Sequence, residues 1–281
     1  MVIAQPINIY NFLRFSPVGT PSIQNSQYTI GLHSGNRKWR RNVQSPLPAL
    51  KGETYTFYTN FETSTFNPAN VVLVSDSNCV YTVLTDPAQP NIVATAWGTN
   101  NIKINLNIPQ TSNENTFVRV AIVDTGVITH ISNSFMILPF NEDRINNTHL
   151  VKVYHNTNIY GYEWSDYNPL TDTPYTVRIP STLKSVAYPR EVTTYESATT
   201  GRPRNTRSVN RKDETLQIFF RNDEDHDTIA TVINFNRLTI NNKEYLALSY
   251  EPEYNDEFNI YVGTLELRDV AYSVRIKGCL V

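Results

Sequence analysis

Apolar and polar residues alternate along much of this chain. In the segment NIKINLNI (101–108), every second residue is isoleucine or leucine, and asparagine or lysine stands between them. Such alternation is typical of a β-strand with one buried face and one face in water. Further segments of this kind are TYTFYTNF (54–61), FVRVAIV (117–123), YTVRI (175–179), TLQIFF (215–220) and AYSVRIK (271–277). Turn residues separate these segments, so the pattern predicts a mainly β protein of antiparallel, β-sandwich-like domains.

One segment has helical rather than alternating spacing. In DEDHDTIATVINFNR (223–237), Ile229, Val232 and Ile233 recur at the period of a helix behind an acidic start. Asp225 or Asp227 is suited to cap the first turn. We therefore predict one short helix over about residues 224–236.

A tight turn is predicted directly after this helix. Asn241 and Asn242 stand between Ile240 and Tyr245, in a hairpin-like setting. Because asparagine tolerates the positive φ that two-residue hairpin turns require, this segment predicts a β-hairpin.

The chain divides into two strand-rich halves. The segment LPFNEDRINNT (138–148) is polar and does not alternate, which is typical of a domain boundary. A chain of 281 residues is long enough for one large domain or for two medium domains that each have a core, and we favour two. We predict a first β domain over residues 1–144 and a second over residues 145–281. Prolines in FSPVGTPSIQN and QSPLPALKG predict an extended N-terminal segment in the first domain.

The overall charge argues against partners that need a strong positive field. The formal net charge is −2, so neither nucleic acid nor an anionic membrane is expected as a partner. No apolar run approaches the ~20 residues that span a bilayer. The start, MVIAQPINIYNFLRF, lacks the basic and then apolar regions of a secretory signal. These features predict a product made in a cytoplasm.

We find no motif for catalysis, a cofactor or a metal ion. The sequence has no GxSxG, no HExxH and no glycine-rich phosphate loop. Residues 223–227 begin like a calcium loop, but Thr228 stands where the loop needs glycine and Asn234 where it needs glutamate. Capping of a helix N-terminus explains these acidic residues. The chain is therefore expected to have no catalytic, cofactor-binding or metal-binding residues and to be no enzyme.

An aromatic cluster is the first candidate for binding. The segment NIYGYEWSDYNP (158–169) contains Tyr160, Tyr162, Trp164 and Tyr167. Aromatic rings of this density are suited to stack on sugar rings or to dock on a partner. Alternation also places Tyr160, Tyr162 and Trp164 on one face, so burial in the second core explains them as well. The sequence leaves both interpretations open.

A basic stretch is the second candidate. It contains no acidic residue from Gly201 to Lys212, and its five basic residues are Arg202, Arg204, Arg207, Arg211 and Lys212. The flanking segments are typical of strands, so we predict a projecting hairpin arm over about residues 196–214. A nucleic-acid site would spread basic and aromatic residues over a whole face, whereas here the positive charge ends at Asp213. Because arginine forms bidentate pairs with carboxylates, we favour an arm that contacts a neighbouring subunit.

The order of segments resembles one family. VRVAIVDTGVITHISNSFMI (118–137) resembles the closing strands of an N-terminal Ig-like domain in tail-associated virion proteins of tailed phages and prophages of Bacteroidota. The second domain of those proteins is similar to four later segments, which are HLVKVYHNTNIYGY (149–162), YTVRIPSTLKSVAYPREVTTYES (175–197), ETLQIFF (214–220) and HDTIATVINFNRLTINNKEYLAL (226–248). The resemblance covers most of residues 115–281.

This resemblance implies a structural role. It implies an Ig-like first domain and a virion component of the tail, neck or baseplate, with no catalytic residues. The expected location is the virion, and the expected partners are copies of the chain and other virion proteins. Extended segments at one end and an arm near the other are typical of subunits that interlock, which favours a ring-like homo-oligomer. The alternative is an adhesin of the particle whose aromatic cluster binds a host-surface glycan.

Overall fold

The computed structural model describes residues 6–7, 12–18, 46–61, 67–77, 80–84, 91–96, 101–154, 174–196, 199–200, 203–220, 223–233, 237–255 and 260–277. The strands are β1 (Pro6–Ile7), β2 (Phe15–Pro17), β3 (Leu47–Ala49), β4 (Thr54–Phe61), β5 (Val71–Ser77), β6 (Val80–Val83), β7 (Ile92–Ala96), β8 (Asn101–Asn107), β9 (Phe117–Asp124), β10 (Val127–Ser132), β11 (Phe135–Ile137), β12 (Thr148–Tyr154), β13 (Tyr175–Ala187), β14 (Arg190–Glu196), β15 (Pro203–Phe220), β16 (Arg237–Ile240), β17 (Lys243–Asn255) and β18 (Ile260–Lys277). The helices are the single turn α1 (Glu142–Asn146) and the longer α2 (Asp223–Val232), and a 3-10 turn spans Pro68–Asn70.

These elements confirm the predicted fold class, which is mainly β and sandwich-like with one short helix. The larger sheet has the order β14-β15-β18-β17-β16-β12-β13-β4-β8-β7, with β1 beside β4. The smaller sheet has the order β2-β10-β9-β11-β3, and β5 pairs with β9 and β6. Buried side chains of both sheets belong to one hydrophobic cluster, so the two sheets enclose a common core.

Two local predictions are also confirmed. Helix α2 (Asp223–Val232) corresponds to the segment predicted to be helical, but it begins at Asp223, so Asp225 and Asp227 lie inside the helix and do not cap it as expected. Asn241 and Asn242 form the two-residue turn between β16 and β17, with φ of 48° and 65°. The side chain of Asn241 accepts a hydrogen bond of 2.9 Å from the Leu150 amide, so this turn is tied to β12.

Six strands of the second half close into a ring. Strand β13 pairs with β12 along Tyr175–Pro180 and with β15 along Ser181–Ala187. The remaining pairings, β15–β18, β18–β17, β17–β16 and β16–β12, complete the circle. Alternate residues point into the ring, and Val177, Ile218 and Leu265 are buried there. Because ring strands have neighbours on both sides, the described part of the larger sheet continues beyond the ring only through β14 on one side and through β4, with β1, β8 and β7, on the other.

The two halves of the chain share one core. Phe12, in the N-terminal segment, lies against the rings of Phe220 and Tyr175, at centroid distances of 5.8 and 6.5 Å. Thr56 of β4 pairs with Thr176 of β13, so the larger sheet crosses from one half to the other. The boundary predicted after residue 144 falls within α1, but there the sheet and the core are continuous. Separate cores, as expected from the chain length, are not found among the described residues.

Buried ion pairs hold the halves together as well. Arg14 donates to Asp225 at 2.5 Å and to Thr228 at 2.9 Å, which ties the N-terminal segment to α2. Arg178 of β13 pairs with Glu53 just before β4, and its Nε–Oε2 distance is 2.9 Å. A charge that loses its partner inside a protein is costly, so each pair favours one relative placement of the two halves.

Strand β9 differs from its predicted pattern. Alternation in FVRVAIV predicts one face in water, but both faces from Val118 to Ile122 are buried. Val120 faces the main cluster, whereas Ala121 belongs to a second, smaller cluster. Arg119 is fully buried, lies 2.5 Å from Asp76 and donates to the Ser132 carbonyl at 2.8 Å. The arginine is accommodated there because its charge and its donors have partners.

Candidate assembly surface

A two-stranded hairpin leaves the ring and is here called the arm. It consists of β14 and residues 203–210 of β15, which pair from Arg190 opposite Asn210 to Glu196 opposite Pro203. Residues 207–211 of β15 also pair with the end of β18. Within the arm predicted over about residues 196–214, the connection between the two strands is therefore short, because β15 already begins at Pro203. Between the strands, Thr199 and Thr200 are described as an exposed turn.

The structure describes the side chains of only some of the predicted arm residues. Arg204 and Arg207 lie in β15, but their side chains, like Arg202, are outside the described residues. Arg211 donates to Glu191 of β14 at 3.1 Å, and Lys212 lies 2.6 Å from Glu214. Two of the predicted intermolecular charges therefore have partners within the chain. The aromatic residues Tyr160, Tyr162, Trp164 and Tyr167 all lie outside the described residues.

A polar cluster lies inside the ring where the arm begins. It joins β15, β17 and β18, and we call it the Glu214 cluster: Lys212, Glu214, Lys243, Tyr245 and Asp269. Lys243 Nζ lies 2.8 Å from a carboxylate oxygen of Glu214 and 2.8 Å from one of Asp269. Tyr245 donates its hydroxyl to Glu214 at 2.6 Å.

The sequence analysis missed this cluster, although a signal was present. Glu214 has the same strand parity as Leu216, Ile218 and Phe220, which are all buried, and it is 8% exposed. A carboxylate in line with three core residues requires partners, and strands distant in the sequence provide them. The cluster therefore fixes the base of the arm to the ring.

The partners of Glu214 decide its ionisation. Burial alone would raise the pKa of Glu214, but hydrogen bonds from Lys212, Lys243 and Tyr245 outweigh burial and lower the pKa to about 2. Burial and the hydrogen bond to Glu214 raise the pKa of Tyr245 to about 12. The pKa of Asp269 is lowered, because the hydrogen bond from Lys243 outweighs burial. The cluster is therefore ionised in its carboxylates and neutral at its tyrosine over the ordinary pH range.

We expect acid to weaken the fold through Glu214. Its pKa is lower in the folded chain than its ordinary value of 4.5, so the unfolded chain binds the proton first as the pH falls. The stabilisation is complete above pH 4.5 and is lost between pH 4.5 and about 2. Urea unfolding at a series of pH values should show a shallower acid dependence in Glu214→Gln. Glu191→Gln, at the exposed Arg211 pair, is the matched control and should behave like the wild type; equal slopes in all three proteins would contradict the prediction.

Seven exposed apolar side chains lie on or beside the strands of the ring and the arm, and together they are called the apolar patch. This apolar patch contains more than half of the large hydrophobic side chains that are exposed among the described residues. Its members are Leu183, Val186, Tyr188, Val192, Leu246, Leu248 and Val270. Tyr188 lies between β13 and β14, and the others lie on β13, β14, β17 and β18, which adjoin β15 or its neighbour. Arg268 of β18 and Asp213 of β15 form a bidentate pair, with both N–O distances 2.8 Å. Exposed apolar groups of this number provide area for contact with another protein.

A cavity of about 470 Å³ lies in the first half of the chain. Six of its ten lining residues are serine, threonine or asparagine, and the other four are Leu84, Pro109, Val118 and Ile137; most of the lining surface is apolar. Asn91 uses its amide nitrogen to bond the Leu84 carbonyl at 3.0 Å. No charged residue is among the lining residues, so the cavity fits a neutral ligand with hydroxyl groups better than an ion.

The described residues offer no groups for metal binding or for spanning a membrane by a helix. In the described part of the chain, no three histidine, cysteine, aspartate or glutamate residues stand close enough together to hold a metal ion. None of the described helices is both long and apolar enough to cross a membrane. The sequence matches no known protein-family model and no curated protein.

Proposed function

We propose that this protein is a structural component of a tailed-phage virion, in the tail, neck or baseplate. It assembles through its β-sheets and its arm into a ring-like homo-oligomer, and its further partners are other virion proteins. The proposal assigns it no catalytic activity and no cofactor. The resemblance of residues 115–281 to tail-associated proteins supports a location in the virion. The presence of the arm supports the assembly of the chain into an oligomer.

The exposure of β14 on both of its faces is the observation that carries this proposal. Side chains from Arg190 to Thr194 are all exposed, although neighbouring residues of a strand point to opposite faces. In the partner strand of the arm, Ser208 and Val209 are buried, but β14 itself has no buried face and gains little from packing within its own chain. The arm is therefore suited to gain its packing from another molecule, and the apolar patch extends the surface available to that molecule.

Assembly of the purified chain tests the proposal. We expect closed rings of one stoichiometry by mass photometry and by imaging of single particles, because a repeated heterologous contact closes when its rotation permits. Replacing Arg202, Arg204, Arg207 and Arg211 together by serine should weaken the rings, most visibly at moderate salt. A chain that remains monomeric at all concentrations, and is missing from purified virions, would contradict the proposal.

Two comparisons separate arm contacts from a general loss of charge. The pair Arg204→Ser with Arg207→Ser is compared with Lys51→Ser with Lys152→Ser, which removes the same charge away from the arm and from the apolar patch. Only the arm pair should weaken assembly, and each exposed ion pair lost should cost about 0–1 kcal/mol. If the arm variants assemble normally but lose salt-dependent affinity for DNA, the arm is a nucleic-acid site.

Glycan binding is the second candidate function. The neutral cavity near Asn91 favours it, because hydroxyl and amide groups beside an apolar wall suit a sugar. The test is a glycan array probed with the wild type and with Asn91→Ala. If the wild type binds a glycan and Asn91→Ala does not, the result would support an adhesin. An array without signal would contradict glycan binding and would not affect the structural proposal.

A further inference from the structure

The larger sheet ends in two strands that have a neighbour on one side only. Among the described residues, β7 pairs only with β8, and β14 pairs only with β15. The unpaired side of such a strand presents a row of amide and carbonyl groups that another strand is able to extend. The two free sides lie at opposite ends of the same sheet and belong to different elements of the fold.

The side chains of strand β7 give it none of the protection that charges or proline provide at a free edge. Its sequence IVATA contains no charged residue and no proline. The Asn107 amide donates to the Asn91 carbonyl at 2.8 Å, so the main-chain groups of Asn91 point to β8. Orientation alternates along an antiparallel strand, and therefore the amide and carbonyl groups of Ile92 and Ala94 point to the free side.

The same reasoning orients β14. The Arg211 amide donates to the Pro189 carbonyl at 3.0 Å, so the main-chain groups of Pro189 point to β15. Those of Arg190 and Val192 consequently point to the free side. Both edges thus present main-chain donors and acceptors at every second residue.

Side chains on the two edges are complementary in an antiparallel pairing, which is the arrangement of every pair in this sheet. Residues whose main chains bond each other place their side chains on the same face. Val192 of one copy, which is 40% exposed, then lies beside Ala94 of another, on the face that packs against the core. An exposed apolar side chain would thereby extend the existing core.

Charge on the opposite face agrees with this pairing. With Val192 opposite Ala94, Glu191 stands opposite Thr95, which is paired on its other side with Lys103. Glu191 and Lys103 are then two strands apart, about 9.6 Å, a span that their long side chains are able to bridge. The Glu191 side chain is 61% exposed and thus accessible to a second copy.

We propose that β14 of one copy adds to β7 of the next, antiparallel and with Val192 opposite Ala94, so that one continuous sheet passes from subunit to subunit. This inference rests on the proposed assembly into rings and names the surfaces that form it. The contact is heterologous, since each copy uses β7 on one side and β14 on the other, and repetition closes it into a ring. The occupant of each free edge is a second copy of this chain.

Proline on either edge provides the first test. Ala94→Pro and Val192→Pro each remove one outward amide, whereas the ladders to β8 and β15 use the neighbouring residues. Ala94→Val and Val192→Ile retain the amide and an apolar side chain, and they are the matched controls. Each proline variant alone should be monomeric by native mass spectrometry, and each control should form rings.

Mixing the proline variants distinguishes this contact from others. Ala94→Pro retains an intact β14 and Val192→Pro an intact β7, so the mixture should form 1:1 dimers and nothing larger. Dimers of Val192→Pro alone would show a β7–β7 contact, and a mixture without dimers would exclude the β7–β14 contact; either result overturns the inference. Rings that persist in both proline variants overturn it while leaving the proposed function intact, whereas a monomeric wild type overturns both.

Charge exchange gives a test that does not require proline to be tolerated. Lys103→Glu and Glu191→Lys should each weaken assembly by about two- to five-fold per contact, because each places like charges on the same face. The double variant restores opposite charges and should recover wild-type assembly. Additive weakening in the double variant would overturn the pairing of these two edges.

Discussion

Replacing Asp76 by asparagine is expected to lower the free energy of unfolding by about 3–5 kcal/mol, because it leaves the charge of Arg119 buried without its counterion. Arg119 is fully buried, and its Nε lies 2.5 Å from a carboxylate oxygen of Asp76. Asparagine has nearly the shape of aspartate, so the change tests charge rather than packing. Urea unfolding followed by circular dichroism measures it.

Two further variants make this result specific. Glu191→Gln breaks the exposed pair with Arg211 and should cost no more than about 1 kcal/mol. Replacing Asp76 by asparagine and Arg119 by methionine together removes both charges and should recover part of the loss. If Asp76→Asn lowered the free energy of unfolding as little as Glu191→Gln, another group would compensate the charge of Arg119. The prediction would then be wrong.

Phe12→Ala is the second change for which a large effect is expected, again about 3–5 kcal/mol. Its ring is fully buried and lies 5.8 Å from that of Phe220 and 6.5 Å from that of Tyr175. Removing it opens a cavity where the N-terminal segment meets the second half of the chain. The whole molecule should therefore become less stable, and thermal unfolding should still occur in one transition.

The matched control is Phe140→Ala, because Phe140 is 73% exposed. Its loss should change stability by less than about 0.5 kcal/mol. Two separate transitions in Phe12→Ala, with only the first shifted, would show that the halves unfold independently. That outcome would contradict the shared core described above.

Local features of the fold were readable from the sequence because they depend on neighbouring residues. Alternation in NIKINLNI correctly predicts a strand, and Ile102, Ile104 and Leu106 are all buried. Helical spacing behind Asp223 predicts α2, and Asn241 with Asn242 predicts the turn between β16 and β17. In each case the signal and the structure span the same few residues.

The sequence predicted only part of the candidate assembly surface. The basic residues around Arg207 and Arg211 indicated an arm, and the structure has a hairpin there. Their charges alone did not show that Arg211 pairs with Glu191 of β14 or that Lys212 lies against Glu214. Those partners depend on register, which the side-chain pattern of a strand with two exposed faces specifies weakly.

The sequence by itself determined the fold class, the strand and helix segments and the turn chemistry, because backbone propensity and one-sided burial act over short stretches. Only the tertiary structure decided that β13 closes the ring by pairing with both β12 and β15, and that Phe12 joins the two halves in one core. It also decided which strands, β7 and β14, end the larger sheet. Strand partners are chosen by contacts between residues far apart in the chain, and alternation along one strand is the same whichever neighbour it has.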